Sequence, residues 1–204
     1  MGEFLMRFFG FLVAPTSRFL NAWMRCACLL FLLTLSHTGV SAHEGHDMPP
    51  LQAIARLDVP RYMGRWYEVA RFPNRFQKQC TGQTQAQYRL LPDARVEVLN
   101  RCRLADGGVQ QALGLARPVD GVSTAQLQVR FAPDWLSWLP WVWGDYWVVD
   151  LDEDYTLAAV SEPSREYLWV LSRTPQVEPA RYAALLKRLS AMGLDVGRLQ
   201  KTEQ

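Results

Sequence analysis

His43 and His46 stand in the stretch HEGHD beside Glu44 and Asp47, and no histidine follows them in the chain. These are metal-ligand types, and a short tract of this kind can take copper, nickel or zinc. It supplies too few fixed ligands for a closed structural site, so the expectation is a solvated leader and no metal. Cys80 and Cys102 are the only cysteines after residue 42. They are either a disulfide, as an even pair in an exported chain suggests, or two buried thiols. With no histidine beyond the leader and both cysteines bonded, neither a Ser-His-Asp set nor a thiol nucleophile can be assembled. No catalytic residues are expected. One carboxylate, Glu68, lies within an apolar stretch and reads as a buried acid held by hydrogen bonds, with a raised pKa as the alternative. The most unusual segment is FAPDWLSWLPWVWGDYW, which places Trp135, Trp138, Trp141, Trp143 and Trp147 among Pro133, Pro140 and Gly144. Its prolines exclude a core helix, and its indoles are unlike a solvated loop.

These residues sit in a chain of two parts. Residues 1–42 read as a secretory signal peptide, with Arg25 before an apolar run from Ala27 to Leu35 and a Val40-Ser41-Ala42 end. That run is far short of the ~20 residues a membrane helix needs. Cys26 and Cys28 precede it, so no lipid-attachment cysteine is expected. Residues 43–56 read as a flexible leader, and residues 57–204 as one domain. Without residues 1–42 the chain's basic and acidic residues balance, and no basic patch points to a nucleic acid.

The domain is punctuated at regular intervals. Strands are predicted over 65–72, 82–91, 95–103, 109–117, 124–131, 145–151, 155–161 and 166–173, separated by turn clusters such as PDA and ADGG. A helix is predicted over 178–192, with Tyr182, Leu185, Leu186 and Leu189 on one face and Gly193 as its stop. The fold class is therefore all-β: an eight-stranded antiparallel up-and-down barrel with one C-terminal α-helix packed outside. Closure leaves no edge strand, and eight strands leave room for one small ligand. The point midway between Cys80 and Cys102 is residue 91, beside a Pro-Asp turn. A hairpin centred there places the cysteines opposite one another, within reach of a bond that clips the second strand to the third. Connections alternate between the two ends, so the tryptophan segment, between strands five and six, lies at the end opposite the N-terminal approach.

At this level the chain resembles the lipocalins. VPRYMGRWYEVARFP, from Val59 to Pro73, carries Gly64-x-Trp66 at the start of the first strand. DYWVVDLDEDY (145–155) is similar to the family's corner between strands six and seven. YLWVLSRTP (167–175) ends the last strand at Arg173. The resemblance spans 57–192, and the nearest likeness is to bacterial lipocalins and apolipoprotein D-like proteins. It implies that Trp66 fills the closed floor of the barrel, that Arg173 lies across its ring, and that Gly64 lets the backbone pass beneath. It also implies a carrier of a small hydrophobic ligand.

Strand alternation assigns the lining. Strand one contributes Glu68 and Ala70, strand two Tyr88, and strand three Val98 and Asn100. Strand five contributes Val129 and Phe131, strand six Tyr146 and Val148, and strand eight Tyr167 and Trp169. This mostly apolar set suits the acyl chain of a fatty acid or lysophospholipid, with the head group near the mouth. The alternative is a barrel filled by its own side chains. The expected role is lipid transport or storage in the periplasm or cell envelope, at or near the outer membrane, without a cofactor. A haem is disfavoured by the lack of a barrel histidine. The competing reading is an enzyme on the same fold, acting on a lipid or other hydrophobic substrate. Trp135, Trp138, Trp141 and Trp143 form a membrane contact, a lid, or the contact of a homodimer.

Overall fold

The computed structural model describes residues 48–119 and 124–204. The expected signal peptide and the tract containing His43 and His46 lie outside the described residues. The strands follow in sequence as β1 (Gly64–Arg71), β2 (Cys80–Leu90), β3 (Val96–Leu104), β4 (Val109–Pro118), β5 (Gln126–Arg130), β6 (Gly144–Leu151), β7 (Leu157–Ser161) and β8 (Leu168–Ser172). Each pairs antiparallel with the next, and β1 pairs with both β8 and β2, which closes the barrel. A short helix, α1 (Val59–Tyr62), precedes β1, and α2 (Pro179–Ala191) follows β8. Alternation explains the walls: in β2, Thr84, Ala86 and Tyr88 are buried while Gln87 and Arg89 face water. The β7 sequence LAAVS is buried throughout, because Ala158 and Val160 join the barrel interior while Leu157 and Ala159 pack beneath α2.

The helix forms where its signals stand. The Glu178 carboxylate accepts the N–H groups of Ala180 and Arg181, Pro179 occupies the first turn, and Leu185 and Leu189 are fully buried. Gly193 ends it with φ +80°. The Arg188 guanidinium straps it to the Asp150 carboxylate through two bonds of 2.7 and 2.8 Å.

One end of the barrel is closed by a stack. The Trp66 ring is fully buried, with the Arg173 guanidinium 3.9 Å from its centroid. That guanidinium donates to the carbonyls of Arg61, Tyr62, Arg65 and Tyr155 at 2.8–3.2 Å. It therefore ties α1, β1 and the β6–β7 turn together. Gly64 has φ +95°, and a Cβ there would lie 3.3 Å from Arg173 Nη1, so both conformation and space call for glycine.

The structure departs from the sequence reading in four places. The β2–β3 turn spans Leu91 to Arg95, with Ala94 at φ +65° and the Leu91 N–H on Arg95 O. Its centre therefore falls two residues beyond the expected one, and bulges in β2 shift the register back, so that Cys80 faces Leu104. The Cys80–Cys102 disulfide still joins β2 to β3, diagonally, with the Cα atoms 5.5 Å apart. Another bulge, between Glu68 and Ala70, reverses the side-chain parity of β1. The leader is packed from Leu51 onward, with that side chain buried under α2 and the Ile54 N–H donated to Val148 O at 2.9 Å. A ninth strand, β9 (Gln200–Lys201), pairs with β1 at Ala70 and Arg71.

Replacing Arg173 by Ala removes a cation–π contact and four carbonyl bonds at once. We expect a loss of about 3 kcal/mol and a melting temperature lowered by roughly 6–12 °C. Thermal unfolding followed by circular dichroism checks this; a melting temperature within about 1 °C of the parent contradicts it.

Candidate functional site

The barrel interior is built in tiers above Trp66. The indole N–H donates to Tyr62 O at 2.8 Å, and the Tyr62 ring lies 4.9 Å from it, centroid to centroid. Above them the Tyr146 hydroxyl bonds to those of Tyr62 and Tyr88, each at 3.0 Å. Burial pushes all three phenols up, Tyr88 to about 12. They stay neutral at physiological pH and act as hydrogen-bonding surface, not as bases. Beside them, a cavity of about 10 Å³ is lined by Leu57, Val59, Met63, Val96, Val98 and Leu127, among others. That is room for roughly one water, so the floor is packed. Farther up, β6 begins at the exposed Gly144. Gly144 lies opposite Val129 on the interior face, and a Cβ placed there would meet nothing nearer than 3.9 Å.

On the β1 side the interior is polar. Glu68 is buried and accepts from Arg71 Nη1 at 2.9 Å, Thr202 Oγ1 at 2.6 Å and Gln77 Nε2 at 2.6 Å. Gln77 Oε1 accepts in turn from the Trp169 indole N–H at 2.9 Å. Segment 200–204 completes this wall. The Gln204 amide donates to Glu68 O and Thr84 O, and the Gln83 N–H donates to Glu203 O at 2.5 Å. Hydrogen bonding, not isolation, thus accounts for the buried acid.

Most of the expected lining gathers here. Tyr88, Val98 and Val148 belong to the interior cluster, Val129, Tyr146 and Trp169 pack against it, and half-buried Asn100 pairs with Ala86. Ala70 does not line the interior. Past the bulge it pairs with Val170 and packs under α2, and Arg71 takes the inward place opposite Trp169. Phe131 lies just beyond β5, 44% exposed, with its ring over Gly114. Tyr167 precedes β8, stacked at 5.7 Å between Trp169 and Phe76. Arg71, Gln77 and Thr202 were not expected. A charged residue reads as outward-facing until a bulge is known, and the other two come from segments with no strand pattern.

The tryptophan segment connects β5 to β6 at the end opposite α1, through two 3-10 turns at Asp134–Leu136 and Pro140–Val142. Trp135, Trp138 and Trp141 stand in solvent, 73%, 76% and 77% exposed. Trp143 is not at the tip. Its ring lies between the guanidiniums of Arg117, at 3.9 Å, and Arg130, at 5.1 Å, and its N–H donates to Ser137 O at 2.8 Å. Leu139 is buried. Trp143 and Leu139 brace the loop and leave the other three indoles outside.

Residues 57–204 match the family model of the lipocalin-like domain. The chain is 43% identical over 156 residues to temperature-induced lipocalin-1 of Arabidopsis thaliana, covering 76% of this chain and 83% of that one. It is 35% identical to the outer membrane lipoprotein Blc of Vibrio cholerae, covering 76% and 86%. It is 31% identical to apolipoprotein D of Mus musculus, covering 86% and 94%. Among solved structures, insecticyanin of Manduca sexta superposes with a TM-score of 0.59 at 16% identity, covering 76% and 85%. That likeness is one of fold.

The open space at Gly144 makes a steric test. Its backbone conformation is one that any residue adopts, so Gly144→Leu adds bulk at the interior-parity start of β6 without backbone strain. Uptake of a fluorescent fatty acid should fall about tenfold, with the melting temperature held within roughly 2 °C. Unchanged uptake would place the probe elsewhere.

Proposed function

This chain belongs to the lipocalin family, and we propose that it is an exported carrier that takes a fatty acid or lysophospholipid into the barrel from a membrane surface. The observation that carries this reading is the pairing of a sealed floor with a mouth that displays three exposed indoles. The acyl chain would lie above the tyrosine cluster, in the space around Gly144, with Phe131 rotating off Gly114 to admit it. Each methylene taken out of water contributes about 0.8 kcal/mol before the costs of ordering. Small inward residues, Ala86, Ala112, Gly114 and Gly144, occupy positions where larger ones would fill the barrel.

The exposure of Trp135, Trp138 and Trp141 favours membrane contact over a lid, because a lid would bury its rings against the cavity. An indole has an apolar body and a polar N–H, which suits the boundary between lipid and water. The loop is braced by Trp143 and Leu139, so little ordering would be needed on contact. Work in the cell envelope is supported by the signal-like N-terminal sequence, by the disulfide, and by a relative named as an outer membrane lipoprotein. A carrier is preferred over an enzyme because the described barrel has no histidine and its two cysteines are bonded to each other.

Native mass spectrometry of the purified protein, with extraction and identification of bound lipid, tests the cargo. We expect about one fatty acid or lysophospholipid per barrel. A protein that carries no lipid and takes up none when it is added contradicts the carrier reading. Flotation with phospholipid vesicles tests the mouth. Replacing Trp135, Trp138 and Trp141 together by Ser should weaken binding roughly tenfold or more. If flotation is unchanged but a dimer dissociates, the indoles are a contact between copies instead.

A further inference from the structure

The bulge in β1 brings a cation into the barrel that the fold uses on one side only. Arg71 faces the interior opposite Trp169, and its side chain is 14% exposed, so the site is not sealed. Nη1 donates to Glu68 Oε1 at 2.9 Å and to Thr202 Oγ1 at 3.2 Å. Nε is buried without a hydrogen-bond partner among the described residues. Glu68 leaves no demand on that edge, because Arg71 Nη1, Thr202 and Gln77 already donate to its two oxygens. A second orphan lies on the same wall. Thr84 Oγ1 is also buried and unpaired, and the Thr84 and Glu68 backbones are bridged by the Gln204 amide. Leaving a buried polar group unpaired is costly, more so for a charged one. Both orphans, a guanidinium N–H and a hydroxyl, can donate. What such a pair lacks is an acceptor, and a guanidinium edge fits a carboxylate or phosphate best.

Building on the carrier reading, we propose that Arg71, with the Thr84 hydroxyl beside it, binds the anionic head group of the cargo, a carboxylate or a phosphate. The head is held at the polar β1–β2 wall, and the chain runs from there toward Ala86 and Val98. Arg71 thus sets specificity: a lipid with the same chain and a neutral hydroxyl head offers only an uncharged, single-oxygen acceptor and is bound less tightly.

The test uses the mature protein and three ligands that share one saturated chain: palmitate, hexadecanol and palmitoyl lysophosphatidylcholine. Binding is read from quenching of intrinsic tryptophan fluorescence. The parent should bind palmitate or the lysophospholipid, or both, about tenfold or more tighter than hexadecanol. Arg71→Lys keeps a positive charge beside Glu68 but loses the Nε edge. It should shrink that gap to about threefold or less while hexadecanol binding holds. Thr84→Val removes the other donor and should weaken only the anionic ligands, about threefold. Loss for palmitate alone assigns a carboxylate, loss for the lysophospholipid alone assigns a phosphate, and loss for both assigns the shared chemistry. Binding of both palmitate and the lysophospholipid no tighter than that of hexadecanol by the parent, or a gap that survives Arg71→Lys, overturns the head-group site and leaves the carrier reading standing. If none of the three binds, both fall.

Discussion

A guanidinium placed over an indole closes one end of this barrel. Arg173 sits 3.9 Å from the Trp66 centroid and bonds four carbonyls from three separate segments. A cylinder of eight strands has two ends, and a barrel that takes in a small ligand needs only one of them open. With α1, the β1 start and the β6–β7 turn held by one side chain, the other end is free to differ. The remaining organisation follows. The tyrosine hydroxyls stack above the sealed floor, the polar wall around Glu68 lies higher, and the tryptophan loop stands at the rim.

The middle of the barrel depends on an irregularity. A regular β1 would point Glu68 and Ala70 inward and Arg71 outward. The bulge sends Ala70 under α2, where a small residue fits against Val170, and brings Arg71 in beside Glu68. Two buried charges that face each other avoid the penalty each would carry alone. Segment 200–204 then supplies the remaining donors through Thr202 and Gln204. The chain's last described stretch is therefore part of the wall between β1 and β2.

Much of this was legible in the sequence, for physical reasons. The roles of Gly64, Trp66 and Arg173 were readable through the resemblance to the lipocalins, and the structure gives their physical reason: a large ring at the floor, a cation over it and no Cβ beside it. Cys80 and Cys102 were readable as a pair because hairpin geometry brings them near. Eight alternating segments implied closure. Alternation alone could not show where it breaks: Ala70 was misplaced by the bulge, and the β2–β3 register by a turn centred two residues late. Trp143 could not be told from Trp135, Trp138 and Trp141 by composition. It is set apart by Arg117 and Arg130, which reach it from β4 and β5. β9 was missed because two residues carry no period, and Leu51 because the stretch between Pro50 and Arg56 is too short to show one.

Under the carrier reading a ligand enters tail-first, from the tryptophan end toward the Trp66 floor. Paramagnetic broadening in the nitrogen-proton NMR spectrum of residues 43–204, with a bound fatty acid that carries a nitroxide at its methyl end, tests this mode of entry. Amide signals of Tyr88, Val98 and Ala116, deep in the barrel, should broaden most, and those of Trp135 to Trp141 should be spared. Broadening centred on the tryptophan loop or on the outer face of α2, with the interior unaffected, would contradict it.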